Sequence, residues 1–281
     1  MTPAGLAPGD PSADPEHRPS TPSSAPGDTS ADTSADSAAE ELLGSADPGP
    51  LLAAGDSADV FAVDDKLVLR RYREGRDATA EAAMVRHVVA HGYPAPAVFA
   101  AAGSDIVMER LHGPTLLQSL AAGETSIHDA AALLADLHAR LHALPVPEDW
   151  DGPTSQSWPE SMAGTVVVHL DLHPANVILT ETHGAAVVDW CNTRIGTAEL
   201  DVAISALIIA EVAVDAGGIY SQAARALLAA FLSAVDLDVL GALDEAAALR
   251  AQDPTLVVGE RGLVPVAATL VRELIEVSAR P

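Results

Sequence analysis

With 281 residues and a formal charge of −25, from 40 acidic against 15 basic side chains, the chain would repel a nucleic-acid backbone unless a local basic groove compensated, and the sequence contains no such groove. Cys191 is the sole cysteine, so no intrachain disulfide can form and a reducing compartment is the natural setting. The start MTPAGLAPGDPSADPEH lacks a basic segment ahead of an apolar core, and the apolar run AISALIIAEVAVDAGG is broken by Glu211 and Asp215 and is too short to span a bilayer; a cytoplasmic protein with no membrane or nucleic-acid partner is expected.

Residues 1–46 are low-complexity Ala, Ser, Pro, Asp, Thr and Gly, including the tandem TSADTSAD, and bury too little apolar surface to offset their ordering entropy; a disordered acidic tail is expected. The texture changes at Leu51. LLAAGDSADVFAVDDKLVLRRY alternates apolar and polar residues around Gly-Asp-Ser and Asp-Asp turns, which predicts two or three antiparallel strands. DATAEAAMVRHVVAHG has helical spacing, with Ala78, Ala82, Val85 and Val89 on one face and Gly92 as a stop. AVFAAA and DIVMERL add two strands, so residues 47–112 read as a small lobe of strands and one helix.

Residues 113–281 read as a second, helical lobe. IHDAAALLADLHARLHAL predicts an amphipathic helix ended by Pro145 and Pro147. AELDVAISALIIAEVAV, SQAARALLAAFLSAV, LGALDEAAALRA and VAATLVRELIEVSA predict further helices, with a short strand pair embedded before them. The fold class is therefore α+β, with two lobes and a cleft between them.

The stretch VVVHLDLHPANVILT, from Val166 to Thr180, interrupts an apolar strand with polar side chains and then resumes it. Asp171, followed five residues later by Asn176, can supply an acceptor for a hydroxyl proton and an oxygen ligand for Mg²⁺. AAVVDW ends at Asp189, a second carboxylate able to share that metal. The spacing fits metal-dependent phosphoryl transfer.

HLDLHPAN resembles the catalytic loop of protein kinases, H-R-D-x-x-x-x-N, and more closely the H-x-D-x-x-P-x-N form of the aminoglycoside phosphotransferase family, the kinase-like small-molecule phosphotransferases; VVDW is similar to that family's counterpart of the kinase D-F-G. The likeness runs from about Leu51 to the helices after Asp201, with its parts in the expected order. It implies a two-lobed protein-kinase-like fold, ATP as phosphate donor with GTP also compatible, Mg²⁺, and a small-molecule hydroxyl acceptor that can be cationic: an aminoglycoside-like antibiotic or an amino alcohol. By position, Asp171 would be the catalytic base, with His169 in support. Asn176 and Asp189 would hold Mg²⁺, and His173 would line the loop near the phosphates. Arg70 would be the strand-three cation paired with Glu81 of the following helix. Gly55 and Ser57 would lie in the loop that covers the nucleotide. Met108, Glu109 and Leu111 would form the hinge, the last two offering backbone groups to adenine, with Gly113 at its end.

Two departures stand out. The strand-three cation is arginine where lysine is usual, a bidentate fork in place of a point charge. The covering loop AAGDSADV has one glycine and two acids, Asp56 and Asp59, which weakens its grip on a triphosphate. The competing reading is a non-catalytic, pseudokinase-like scaffold; a protein kinase ranks lower because no A-P-E-like segment follows Asp189. The pairs His87/His91 and His138/His142 have i, i+4 spacing but no third metal ligand evident in sequence, and read as surface or half-buried histidines. Cys191 reads as an apolar filler, and Asp201 as a helix-start acid tying the preceding loop to the lobe. Trp150 and Trp158, among Glu148, Asp149, Asp151 and Glu160, would suit a cationic ligand or form a solvated acidic loop.

Overall fold

The computed structural model describes residues 39–278 apart from 56, 149, 151, 153–163, 254, 255 and 257. Five antiparallel strands form the first lobe: β1 (Leu51–Ala54), β2 (Ala58–Ala62), β3 (Leu67–Tyr72), β4 (Val98–Ala102) and β5 (Asp105–Glu109), in the order β1-β2-β3-β5-β4. Period-two alternation divides β3 between two faces. Val68 and Tyr72 pack with Ala58, Ile106 and Met108 against Ala78 and Ala82 at the start of helix α1 (Thr79–Ala90). Leu69 packs on the opposite face with Ala100 and Val107. Arg70 consequently points to the α1 side, whereas Arg71 makes a two-pronged bond to Asp105, 2.7 Å at each oxygen.

That outer face corrects the tail boundary expected at residue 46. Residues 39–42 form a helical turn, with Ala39 fully buried and Leu42 and Leu43 packed beside Leu69, Ala100 and Val107. The Gly44 N–H donates to Asp105 Oδ2 at 2.8 Å. The Leu-Leu pair covers apolar sheet surface, which outweighs the disordering composition around it. Residues 1–38 lie outside the described residues.

The second lobe contains α2 (Leu116–Ala122), α3 (Ile127–His142), α4 (Ala198–Asp215), α5 (Gly218–Ala234), α6 (Val239–Arg250), α7 (Val258–Arg261) and α8 (Val264–Ser278). Residues 200–211 of α4 are all buried, as expected of a helix apolar on every side. Each fully buried Leu or Ile there contributes about 1.5–3 kcal/mol, making α4 the mast against which α5, α6 and α8 pack. Among the described residues no helix is long and apolar enough to cross a membrane. Helix α2 is too short for its periodicity to stand out in the sequence, although Thr115 and Gln118 form a reciprocal capping box at its start. Four short strands make two ribbons on this lobe: β6 (Val166–Val168) pairs with β9 (Arg194–Gly196), and β7 (Val177–Thr180) with β8 (Gly184–Val187). Strand β9 has no sequence signal either, because three residues carry no periodicity.

The lobes join at Gly113. Its φ is +150°, and a Cβ there would lie 1.8 Å from the carbonyl oxygen of Leu179 in β7. The backbone itself blocks any side chain, so Gly113→Ala should cost about 1–3 kcal/mol by forcing the hinge off β7. Urea unfolding measures this loss.

Candidate active site

Arg70 reaches from β3 to two carboxylates. Nη1 donates to Glu81 Oε1 at 2.9 Å and Nη2 to Asp189 Oδ1 at 2.5 Å. The other Glu81 oxygen accepts from the Tyr72 hydroxyl, so both oxygens of this buried acid are held. An ammonium could reach both acids only as a point charge; the planar fork serves each with its own nitrogen. Asp189 lies two residues beyond the end of its strand, Gly184–Val187, in the left-handed region, φ +65°. Burial works against its charge, but the Arg70 guanidinium outweighs this and holds the carboxyl down at about 2.

The polar loop folds between β6 and β7. A single turn, Pro174–Asn176, aims Asn176 back at Asp171: its Nδ2 donates to the Asp171 carbonyl at 2.9 Å and to Oδ2 at 3.0 Å, leaving its own carbonyl oxygen as a ligand atom. Nδ2 also lies 3.2 Å from His173 Nε2. The Val188 N–H donates to the Asn176 carbonyl, which brings Asp189 alongside this loop. Burial, then the Asp189 charge, push the Asp171 carboxyl up to about 8, while Arg250 and the Asn176 bond act against them. Arg250 is itself clamped to Glu211 and Asp253. Burial takes His173 down to about 4.

His169 is fully buried and touches no solvent-facing volume. One ring nitrogen bonds the Val188 carbonyl at 3.1 Å, and the ring meets Trp190 edge-on at 4.8 Å. The ring lies in the interior behind residues 188–190.

Asp201, read from the sequence as a structural acid, gathers this loop from beneath. Oδ1 accepts from the backbone N–H of His169 at 3.1 Å and of Leu170 at 2.7 Å; Oδ2 meets His142 at 2.8 Å and His138 at 3.3 Å. Leu170 is a buried non-glycine residue with φ +62°, a strained conformation that the Asp201 bond helps to fix. The α3 histidines, expected to be surface or half-buried, instead serve the loop through a carboxylate 59 residues from His142 and 63 from His138. His87 and His91 lie near the surface with their rings 4.4 Å apart and tilted, His87 bonding the Pro145 carbonyl.

A cleft of about 550 Å³ lies between the lobes. Gly55 and Ser57 line its roof, Arg70 and Glu81 its back, Met108, Glu109 and Leu111 its hinge wall, and Asn176 and Asp189 its floor. Asp171, His169 and His173 do not line this cavity; Asp171 sits beyond it, bonded to Asn176. The Glu109 side chain turns away to His183 at 2.8 Å and the Ala97 N–H at 3.2 Å, leaving only its backbone for the cleft. The acidic roof is milder than the sequence implies, because Asp59 is paired with Arg73; Asp56 lies outside the described residues. Trp150 does not stack over the site: its Nε1 donates to the Ala80 carbonyl at 3.0 Å, tying the second lobe to the start of α1. Trp158, Asp149, Asp151 and Glu160 lie outside the described residues.

A five-stranded antiparallel sheet with one inner helix, hinged to a helical lobe that carries an H-x-D-x-x-P-x-N loop, defines the kinase-like phosphotransferase fold. The chain belongs to the phosphotransferase enzyme family, also called APH, whose model matches residues 49–155 and 154–243. It is thus a phosphotransferase of the kinase-like, small-molecule class. Solved structures agree in fold. A thermostable mutant of aminoglycoside phosphotransferase APH(4)-Ia, in ternary complex with AMP-PNP and hygromycin B, is 16% identical with a TM-score of 0.53, covering 89% of this chain and 100% of that one. The gentamicin complex of APH(2″)-IIa is 14% identical with a TM-score of 0.52, covering 83% and 93%. No curated protein matches the chain.

Proposed function

We propose that the protein transfers the γ-phosphoryl group of ATP to a hydroxyl of a small molecule, with Mg²⁺. The observation that carries this reading is the convergence of Asp171, Asn176 and Asp189 where the cleft floor meets the loop, with Arg70 forked between Glu81 and Asp189 above them. Asn176 and Asp189 offer the hard oxygen donors that Mg²⁺ prefers, and the cation would neutralise charge on the β and γ phosphates.

The remaining work falls to the chain's own groups. The hinge offers the backbone of Glu109 and Leu111 to adenine. Arg70, held by Glu81, neutralises phosphate charge. Asp171 orients the acceptor hydroxyl and takes its proton as the acceptor oxygen bonds to the γ phosphorus and the bond to the bridging β–γ oxygen breaks. His169 supports the segment that carries Asp189.

The acceptor follows by analogy. The two solved complexes hold hygromycin B and gentamicin, so hydroxyl-bearing amino sugars come first, with amino alcohols next. The interval from Pro114 to Val168 is short, which favours a compact acceptor. Calorimetric titration of ATP with and without Mg²⁺ tests the donor side: binding that strengthens with the metal is expected. Binding indifferent to Mg²⁺ would instead support a non-catalytic scaffold.

A further inference from the structure

Arg194 is a buried cation that forms no ion pair among the described residues. Arg194 opens β9, opposite Val168, and is only 4% exposed. Its Nη1 donates to the adjacent Thr193 carbonyl at 2.7 Å, while Nη2 is buried and meets no acceptor among the described residues. An uncompensated buried charge is among the costlier features a fold can carry, and arginine cannot escape by losing its proton at neutral pH. Burial, and next the charge of Arg76, draw Arg194 down only to about 10, so it stays cationic.

Arg76 is the second half of the arrangement. It precedes α1, is half-exposed, donates to the Cys191 carbonyl at 2.7 Å and lies over the Tyr72 ring at 4.9 Å. Arg76 holds the Cys191 carbonyl and Arg194 the Thr193 carbonyl two residues further along the same turn, so two guanidinium groups, one of them with an unused buried donor, gather at one stretch of backbone where an anion would relieve their repulsion. We propose that Arg194 and Arg76 form a binding site for a small oxyanion of the phosphate type, separate from the cleft between the lobes.

The placement gives such a ligand leverage. Arg76 touches Tyr72, which holds Glu81, and Cys191, two residues after Asp189; Arg194 stands on the strand that continues from that turn. An oxyanion bridging the two arginines would clasp the start of α1 to β9 and so steady the Glu81–Arg70–Asp189 chain from behind. The site's existence does not depend on how the cleft is read.

The test is titration of inorganic phosphate into the full-length protein in phosphate-free buffer, followed by calorimetry and thermal melting. Wild type should bind and melt higher. Arg194→Met and Arg76→Gln should each bind about tenfold or more weakly, as loss of a charge-assisted hydrogen bond implies. Arg70→Met, which alters the cleft, should keep the response. Circular dichroism establishes folding of each variant; should Arg194→Met fail to fold, Arg76→Gln decides alone. Absence of a wild-type response at millimolar phosphate, an undiminished response in the two variants, or its loss in Arg70→Met alone would overturn the proposal.

Discussion

Asp171→Asn should lower phosphoryl transfer by about 10²–10⁴-fold while leaving the affinity for nucleotide within about twofold of wild type. The two effects separate because Asp171 lies outside the cavity that Arg70, Glu81 and the hinge enclose. The substitution nearly preserves shape, and Asn176 Nδ2, now 3.0 Å from Asp171 Oδ2, can still meet an amide oxygen. Burial and the Asp189 charge disfavour the ionised Asp171, so the amide variant should melt no lower than wild type. Turnover, titration of nucleotide and a melting curve on one preparation check all three. A fall in melting temperature matching the fall in rate would make Asp171 a structural residue.

The largest stability effect is expected at Asp201. Asp201→Ala strips acceptors from two backbone N–H groups of the catalytic loop and from His138 and His142, all in the interior, and should cost about 3–5 kcal/mol. Leu170 would lose the bond that helps hold its left-handed backbone, so residual folded protein should also transfer phosphate poorly. The pH dependence has a definite sign. Burial alone would raise the Asp201 carboxyl, but the bonds and charges of His138 and His142 carry it well below the ordinary value. Its contribution is therefore complete above the unfolded carboxyl pKa of about 3.9 and disappears as pH falls through the lower, folded value. Urea unfolding of wild type and variant should show a full gap at neutral pH that narrows in acid. A gap independent of pH would mean that the carboxylate's charge is not what anchors the loop.

What could be read from the sequence followed from local pattern. Alternation in LVLRRY places Arg70 and Arg71 on opposite faces, and the register of β3 against β5 turns Arg70 inward. The spacing within HLDLHPAN is enough for Asn176 to return to Asp171 through one turn. What escaped depends on distant partners. Nothing near Asp201 announces that His138 and His142 will meet it, and nothing near Trp150 announces the Ala80 carbonyl. Leu42 and Leu43 were hidden in acidic, proline-rich surroundings because the sheet face they cover is assembled from β3, β4 and β5. Nothing in the sequence around Arg194 marks it; that it is buried with no counter-ion among the described residues is visible only in three dimensions.

The most direct test of the central claim is γ-phosphate transfer by purified protein with ATP and Mg²⁺ across amino-sugar antibiotics, macrolides, amino alcohols and sugars, read as acceptor-stimulated ATP consumption and as a phosphorylated product by mass, with Asp171→Asn run in parallel. A product formed by wild type and lost in the variant is the predicted result. A product formed equally by both, or wild-type protein that neither phosphorylates any acceptor nor binds ATP in a Mg²⁺-dependent way, would contradict the account.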